Sequence, residues 1–476
     1  MPRPHITAHS TDLHEGFEQI RRELDVRQVF PPAVLDAARA ASDHFAGERA
    51  DRRDLPLVSI DPAGSRDLDQ AFHLATRGGG YRFSYAIADV AAWIPAGGPL
   101  DSEARERGST VYCPDTRIPL HPPLLSEGAA SLLPDGDRPA VLWTIDLDDR
   151  ASVTDIGVER ALVRNREALD YAAAQGHLDA GGTHQQLRLL EEVGSLRLAR
   201  EMERGGVSLT LPDQLVTREG DRYRIEYGAT LDTERWNAQL SLCCGMAAAE
   251  LMIQGGVGVL RTLPDPDATV LDSLRLTSEQ LGVAWPEGRS YPEWVRSLDP
   301  ATGEGAALMV AAARTLRGAG YTTFDGTAPT SPNHHALAAP YAHVTAPLRR
   351  LVDRFGAECA LALCNGVRPP RWTLDALESL PGIMEQTASR VSAVERACVD
   401  LVEAAILQHR VGEALDGVVT ALRNGTTAVV QLTDPAVIAT APIVNQLEAG
   451  DHVVARVVEA DPRTRTVSFE IAPLPR

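Results

Sequence analysis

The chain of 476 residues carries 65 acidic against 46 basic residues, a formal net charge of −19, and 44% of its residues are hydrophobic. This acidic balance disfavours a protein that coats nucleic acid with its outer surface, because such proteins are usually basic; nucleic acid would have to bind in an internal basic channel. Every basic residue is an arginine, so catalysis by a lysine general base or Schiff base is excluded. Length and apolar content predict about two to four domains.

The six cysteines show neither a CxxC pair nor a zinc-ligand spacing with histidine, which is typical of reduced cysteines in a cytoplasmic protein. The N-terminal residues do not resemble a signal peptide, and the apolar runs stay shorter than the roughly 18 residues of a membrane helix. The sequence therefore predicts a cytoplasmic protein that does not span a membrane, and its acidic surface favours a monomer.

Residues 1–50 are predicted to form a small helical segment. Helical patterning runs from residue 11 to about 24 and from 33 to about 45, and prolines stand in the first turn of the second helix. Two short helices with a tight link are typical of a helix-turn-helix, but also of a simple helical hairpin or linker. A DNA-binding regulator that uses these helices is therefore an alternative, although neither helix is basic like a recognition helix.

Residues 51–412 form the largest predicted domain, which begins with strands and continues with helices. Short runs of β-type patterning with turn residues between them indicate the strands. The predicted strands are 55–60, 71–74, 81–88 and 141–147, and the predicted helices are 186–204, 232–254, 302–317, 346–365 and 373–412. The helix at 232–254 is apolar on nearly all faces, which predicts a buried central helix.

Residues 413–476 carry a pattern that is typical of a small barrel. Strands are predicted at 414–422, 426–432, 451–459 and 466–471, with turn residues between them. About five strands in so short a segment favour a barrel of the OB type. The whole chain is thus predicted to be of the α+β class.

Three aspartates gather where one predicted strand ends and the next begins, in residues 59–70 (SIDPAGSRDLDQ). Asp67 and Asp69 share a face of an extended segment because side chains alternate, and the turn after Asp61 folds that residue back towards them. Three carboxylates in one place are the ligands that Mg²⁺ prefers, and a bound metal can activate water. The alternative is that these aspartates form ordinary turns and caps.

Two adjacent arginines, Arg349 and Arg350, lie near the start of a predicted helix in residues 341–350 (YAHVTAPLRR). Guanidinium groups near the N-terminus of a helix suit phosphate oxygens, both by charge and by fork geometry. A surface arginine pair at a helix start is the alternative. Carboxylates that bind a metal, together with arginines that face phosphate, indicate a phosphodiester hydrolase.

The two segments together resemble the signature of the RNase II family of exoribonucleases, whose catalytic unit is the RNB domain. In that family an apolar-Ile-Asp is followed by Asp-x-Asp-Asp; Asp61, Asp67 and Asp69 match, and Gln70 replaces the fourth carboxylate. Residues 101–115 (DSEARERGSTVYCPD) are similar to the stretch that follows in the family. The resemblance covers about residues 55–476 and includes a C-terminal S1-like domain.

The resemblance implies a role for each matched residue. Asp61, Asp67 and Asp69 would be catalytic and would hold Mg²⁺ together with the amide oxygen of Gln70, and Arg349 would clamp the scissile phosphate. An aromatic ring would stack on the 3′-terminal base, a contact worth roughly 1–3 kcal/mol. The residues implied to contact RNA are Tyr112, which carries that ring, Tyr341, Arg350 and Glu395.

The implied architecture is a small N-terminal helical segment, an RNB-type mixed α/β catalytic domain and a C-terminal five-stranded OB (S1-like) barrel. The implied activity is that of a Mg²⁺-dependent hydrolytic 3′→5′ exoribonuclease. It would take the 3′ end of single-stranded RNA into an internal channel and release nucleoside 5′-monophosphates. Because Gln70 brings no negative charge, a catalytically weak RNB-fold protein that binds RNA or acts as a regulator is the alternative.

Overall fold

The chain folds as four successive regions, and the structure, a computed structural model, describes residues 8–134, 136–209, 214–220, 222–228, 230–300, 302–423, 425–443 and 447–473. The N-terminal region contains β1 (Ala8–His9), α1 (Ser10–Glu23), α2 (Pro32–Ala40) and β2 (Ala50–Asp51). The next region contains β3 (Leu57–Asp61), β4 (Gln70–Arg77), β5 (Gly80–Ala88), α3 (Pro99–Arg107), β6 (Val111–Tyr112), β7 (Arg117–Ile118), β8 (Asp137–Leu147) and β9 (Val153–Asp170).

The third region is mostly helical, and the fourth consists of strands. The third contains α4 (Tyr171–Asp179), α5 (Gln185–Arg204), β10 (Gln214–Glu219), β11 (Arg222–Tyr227), α6 (Asp232–Gly255), β12 (Val257–Thr262), α7 (Ala268–Gln280), α8 (Tyr291–Arg296), α9 (Gly303–Ala312), β13 (Gly320–Asp325), β14 (Asn333–His334), β15 (Ala339–Pro340), α10 (Leu351–Cys364), α11 (Arg371–Leu377) and α12 (Leu380–Leu407). The fourth contains β16 (Ala414–Arg423), β17 (Thr427–Leu432), β18 (Ile438–Pro442), β19 (His452–Asp461) and β20 (Thr466–Pro473).

The two N-terminal helices are anchored in different cores. Phe17 and Ile20 of α1 are buried in a cluster with residues of α12, whereas Val34 of α2 is buried against the first strands of the sheet. The predicted span of α1 is confirmed, but α2 ends at Ala40 rather than near residue 45, because Ala41 turns extended with ψ of 137°. Each helix is therefore held by the domain that follows, and the helix-turn-helix stays a prediction.

One strongly curved sheet forms the centre of the molecule. Its strand order is β2-β9-β3-β4-β5-β8, and β9 also pairs with β8, so the sheet closes on itself. The first part of β9 runs antiparallel to β8, and its last part runs parallel to β3 and sets Asp170 opposite Asp61. The four strands predicted in this region are confirmed as β3, β4, β5 and β8. The sequence prediction missed β9 because charged residues interrupt it, and Arg160 and Arg164 form ion pairs.

Helices cover this sheet and complete its core. The predicted central helix is confirmed as α6, whose Leu240, Cys244 and Ala248 are buried in one cluster with strand residues of the sheet. Three predicted helices are wrong in their bounds, and one of them, α9, ends at Ala312 and not at residue 317. Helix α10 begins at Leu351 and not at residue 346, and the helix predicted at 373–412 is divided into α11 and α12 beside Pro381, which lacks the N–H for a continuous helix. Among the described residues, no helix is both long and apolar enough to cross a membrane.

The C-terminal strands form a nearly closed five-stranded barrel around Phe469, in the order β18-β17-β16-β19-β20, with β18 and β20 side by side. The OB-type prediction is thereby confirmed. The barrel is docked to the larger domain by hydrogen bonds. Glu403 of α12 accepts one from the backbone N–H of Ile438 at 3.0 Å, and the Tyr227 hydroxyl donates one to the carbonyl of Leu432 at 3.0 Å.

Candidate active site

Three carboxylates meet where β3 ends and β4 begins, and we call Asp61, Asp67 and Asp69 the carboxylate edge. A turn closed by the hydrogen bond from the Ser65 N–H to the Pro62 carbonyl (3.1 Å) reverses the chain between them. Asp69 is only 3% exposed, and its Oδ1 accepts a hydrogen bond from the backbone N–H of Leu348 at 2.7 Å. This hydrogen bond brings together residues 59–70, which carry the aspartates, and residues 341–350, which carry the two arginines.

The carboxylate edge is short of positive charge. Burial, assisted by the neighbouring Asp67, raises the pKa of Asp61 to about 6, against the opposing effect of Arg349. Burial also raises the pKa of Asp69 to about 8, although Arg349 and the Leu348 N–H favour its ionised form. Buried carboxylates with raised pKa values are typical of sites that receive a cation or act on protons.

An oxygen-ligated divalent cation such as Mg²⁺ fits this chemistry, because it would supply the missing charge to an all-oxygen donor set. Among the described residues, however, no three His, Cys, Asp or Glu side chains converge as a ready-made metal site. Two of the carboxylates have arginine neighbours: Asp67 is hydrogen-bonded by Arg117, and Oδ2 of Asp69 lies 3.5 Å from the Nε of Arg349. Arginines thus contact two of the three carboxylates, and at Asp69 burial still outweighs the charge of Arg349.

Backbone hydrogen bonds hold residues 345–351 over the carboxylate edge. The Ala346 N–H donates to Asp353 Oδ1 at 2.7 Å, which ties the segment to the first turn of α10. On its other side, the Thr110 N–H donates to the Arg349 carbonyl at 2.9 Å and the Leu351 N–H donates to the Gly108 carbonyl at 3.0 Å. These bonds bring the short ribbon β6–β7 beside the same site.

The two adjacent arginines have different environments. The side chain of Arg349 is 48% exposed and approaches only the edge of Asp69, so its guanidinium can still receive an anion. Arg350 instead donates to Asp353 from Nε and from Nη2, the latter to Oδ1 at 2.8 Å. The structure therefore places Arg349 at the opening of the site and engages Arg350 in holding the segment.

Tyr112 lies near the carboxylate edge and is partly exposed: its phenol is desolvated while part of the residue stays accessible. The residue is 46% exposed, which is unusual for a large aromatic side chain beside buried carboxylates. Burial, followed by the charge of Asp67, raises the pKa of Tyr112 to about 12, so its phenol stays neutral. An exposed neutral ring in this position can stack on a base.

The side-chain oxygen of Gln70 already accepts a hydrogen bond within the sheet. It is the first residue of β4, and its Oε1 accepts a hydrogen bond from the hydroxyl of Tyr85, a fully buried residue of β5. The amide oxygen that the sequence analysis offered to a metal is thus engaged with the sheet. A metal at the carboxylate edge would have to share this oxygen with Tyr85.

Tyr341 and Glu395 differ in exposure. Tyr341 is 7% exposed and packs on Gly245 of α6, where a Cβ atom would come within 2.1 Å of its ring. Glu395 is an exposed residue of α12. Tyr341 is therefore packed against α6. The RNA contacts of Tyr341 and Glu395 stay predictions.

Sequence reasoning missed two charged residues of the site, Arg117 and Glu127. Arg117 lies directly opposite Tyr112 in the β6–β7 pairing, and its Nη2 donates to Glu127 Oε1 at 2.6 Å. The pairing of a ribbon with two residues per strand leaves no periodic signal in the sequence. The one available signal was the short distance along the chain between Arg117 and Tyr112.

Comparisons with known proteins point to one family. The profile of the RNB domain matches residues 49–355, and that of the RNase II-type exonuclease C-terminal S1 domain matches residues 413–472. Ribonuclease R of Escherichia coli (strain K12) is 30% identical over 355 residues, which are 70% of this chain and 43% of that protein. The chain thus spans less than half the length of this relative.

Two solved structures have the same fold. Mycoplasma genitalium RNase R in complex with ribose methylated single-stranded RNA has a TM-score of 0.88 at 19% identity, covering 97% of this chain and 78% of that one. Yeast Ssd1, a pseudonuclease, has a TM-score of 0.71 at 16% identity, covering 96% of this chain and 58% of that one. Since the RNB match covers more than half of the chain and includes Asp61, Asp69 and Arg349, this protein belongs to the RNB-domain family and carries a C-terminal S1 domain of the RNase II type.

Proposed function

We propose that this protein is a hydrolytic 3′→5′ exoribonuclease that depends on Mg²⁺ and releases nucleoside 5′-monophosphates. The observation that carries the proposal is the meeting of Asp69, Arg349 and Tyr112 at one opening. There, buried carboxylates short of positive charge lie beside an arginine that is 48% exposed and an aromatic ring that is 46% exposed. Its RNB-domain relatives include ribonuclease R of Escherichia coli, which supports RNA as the substrate.

Each residue of the site has a part in the proposed reaction. Asp61, Asp67 and Asp69 would hold the cation, with the oxygen of Gln70 as a further ligand, and the cation would supply an activated water and neutralise developing charge. Arg349 donates to the non-bridging oxygens of the terminal phosphodiester, where negative charge grows in the transition state. Tyr112 stacks on the terminal base and so positions that phosphodiester.

The bond that breaks defines the products. Water adds to phosphorus, the bond from phosphorus to O3′ of the shortened chain breaks, and that oxygen leaves with a proton as a 3′-hydroxyl. The released nucleotide keeps its 5′-phosphate. Single-stranded RNA is the proposed partner, with its 3′ end in an internal channel, because stacking and phosphate contacts need an unpaired end. The acidic surface and six free cysteines support a cytoplasmic monomer.

The test is a cleavage assay with a 5′-labelled single-stranded RNA of about 30 nucleotides and Mg²⁺. We expect a ladder that shortens to a small 5′-labelled product, with loss of turnover in EDTA and in Asp69→Asn. Asp375→Asn is the matched control, because it changes an exposed aspartate that pairs with Arg371 on α11. A 5′-labelled mononucleotide that appears from the first time point, or activity retained by Asp69→Asn, would exclude the proposed chemistry.

The second candidate is a catalytically weak RNB-fold protein that binds RNA or acts as a regulator. It is favoured by Gln70, which brings no charge and whose oxygen is engaged by Tyr85. It is also supported by the fold shared with the pseudonuclease Ssd1. RNA that stays intact but is bound, measured by fluorescence anisotropy, would favour this candidate, and a gain of cleavage by Gln70→Asp would identify the glutamine as the cause.

A further inference from the structure

Arg117 joins a proposed metal ligand to an acidic residue that has no such role. Its Nη1 hydrogen-bonds Asp67 Oδ1, and its Nη2 donates to Glu127 Oε1 at 2.6 Å. The guanidinium is planar and offers donors in a fork, so one arginine can bridge two carboxylates on different segments. Arg117 therefore has one anchor at the carboxylate edge and a second anchor beside it.

Glu127, the second anchor, lies in an unusual backbone conformation. Glu127 lies in a π-helical turn, Leu125–Ala129, in which the Ala130 N–H donates to the Leu125 carbonyl at 2.9 Å. Such turns are rare and are often found at functional sites. Arg117 and Glu127 are each 25% exposed, so the pair is accessible from the opening of the site and is not part of the core.

A cation at Asp67 would share this carboxylate, and its negative charge, with the guanidinium of Arg117. The guanidinium now occupies Oδ1 of Asp67, and no metal site of three carboxylates is formed among the described residues. A divalent cation that binds Asp67 brings a second positive charge beside the guanidinium, so the two compete for this carboxylate and the cation favours withdrawal of Arg117. Glu127 would then keep the displaced guanidinium close by, because its own contact does not depend on Asp67.

We propose that Arg117 is a positioning residue of the metal site, which holds Asp67 while the cation is absent and transfers to Glu127 alone when the cation binds. The proposal rests on the proposed function in that the carboxylate edge binds a divalent cation. It adds a competition between a side chain and the metal, with Glu127 as the residue that favours the metal. Metal affinity is therefore set by the Arg117–Glu127 pair as well as by the ligands.

The competition is measurable without RNA, by Mn²⁺ binding to the full chain in calorimetry or electron paramagnetic resonance. We expect Arg117→Gln to tighten Mn²⁺ binding by about three- to tenfold, since one charge-assisted contact is removed. Glu127→Gln should weaken binding by a similar factor, because Arg117 then has no second anchor. Arg77→Gln, at the opposite end of β4 and paired with Asp146, is the matched control and should bind like the wild type.

Two further variants separate the competition from a simple effect of charge. Arg117→Lys keeps the charge but lacks the planar fork that spans Asp67 and Glu127, so it should bind Mn²⁺ more tightly than the wild type and less tightly than Arg117→Gln. In the double variant Arg117→Gln/Glu127→Gln, the loss caused by Glu127→Gln should disappear, which is a non-additive result. A lysine variant equal to the wild type together with additive effects would overturn the proposal, as would weaker binding by Arg117→Gln.

Asp61→Asn distinguishes a failure of this inference from a failure of the proposed function. Mn²⁺ binding that Asp61→Asn abolishes but that Arg117→Gln does not tighten would contradict the competition and leave the metal site intact. The absence of Mn²⁺ binding by the wild type would contradict both. Thermal melting followed by circular dichroism establishes that each variant is folded.

Discussion

Two groups of buried charges lie on the same sheet and differ in how they are neutralised. One is the carboxylate edge. The other, which we call the Asp89 cluster, consists of Asp43, Arg49, Asp89, Arg160 and Glu358. In this cluster arginines bridge successive carboxylates; Asp89 Oδ2, for example, accepts from Arg49 at 2.9 Å and from Arg160 at 2.5 Å.

The difference separates a structural group of charges from a site prepared for a ligand. In the Asp89 cluster burial pushes the pKa of Asp43 upwards, but hydrogen bonds from Arg49 outweigh it and the pKa is lowered. At Glu358 burial prevails over Arg160 and raises the pKa. At the carboxylate edge burial prevails at both Asp61 and Asp69, whose pKa values reach about 6 and about 8. Burial of the ionised carboxylates of the edge lowers the stability of the fold, and a bound cation would offset this effect.

Asp69→Asn should have the largest effect on activity and a small one on stability. We expect turnover to fall by on the order of 10³-fold, because the site loses a ligand of the cation that would stabilise negative charge in the transition state. In EDTA at pH 9 the variant should be more stable than the wild type by about 1–2 kcal/mol, since a buried carboxylate with raised pKa is removed. Single-turnover RNA cleavage and urea denaturation measure the two quantities, and a strongly destabilised variant would contradict the contrast.

Arg160→Gln should have the opposite pattern. It leaves Asp89 and Glu358 buried without the arginine that joins them, and it removes the guanidinium that lies 3.6 Å from the centre of the Phe45 ring. We expect the RNB-domain transition in urea to lose about 3–5 kcal/mol. Cleavage per folded molecule should stay within a few-fold of the wild type. Loss of cleavage with unchanged stability would show that the cluster is not structural.

Tyr112→Ala should weaken RNA binding without changing the fold. Loss of one stacked ring corresponds to about 1–3 kcal/mol, which is seen as a rise in KM or in the Kd of RNA. Tyr112→Phe keeps the ring and should bind nearly as well as the wild type. Equal losses in both variants would mean that the hydroxyl, and not the ring, makes the contact.

The carboxylate edge and Asp43 of the Asp89 cluster should also give opposite dependences of stability on pH, whereas Glu358, with its raised pKa, acts in the same direction as the edge. In EDTA, Asp61 and Asp69 hold protons in the folded state that the unfolded chain has released, so their effect is to lower stability as pH rises from about 4 to about 8. Asp43, with its lowered pKa, contributes stability above about pH 4 that is lost as the pH falls further. We expect about 1–3 kcal/mol from the edge, absent in Asp61→Asn/Asp69→Asn and in wild type saturated with Mn²⁺. A profile that is the same in the double variant would contradict the assignment.

The sequence was sufficient for the features that depend on neighbouring residues. The first strands of the central sheet, the strands of the C-terminal barrel and the apolar helix α6 all follow from local pattern. The start of α10 was misplaced because residues 346–350 are held extended or turned by hydrogen bonds to Asp69 and Asp353, which lie on other segments. Local propensity does not contain such partners.

The same limit applies inside the site. That Arg117 bridges Asp67 and Glu127 depends on the register of a two-residue ribbon and on a π-helical turn, neither of which leaves a periodic signal. The engagement of Gln70 by Tyr85 depends on the pairing of β4 with β5. The identities of these residues were readable, whereas their partners were set by tertiary structure.

The hydrogen bond from the Leu348 N–H to Asp69 has a consequence for when the site first exists. The two residues are 279 positions apart, so the site cannot close until Leu348 has left the ribosome. At a synthesis rate of roughly 5–20 residues per second, about 15 to 55 seconds separate the two residues. During that interval the growing chain carries its carboxylates without the segment that closes the site over them.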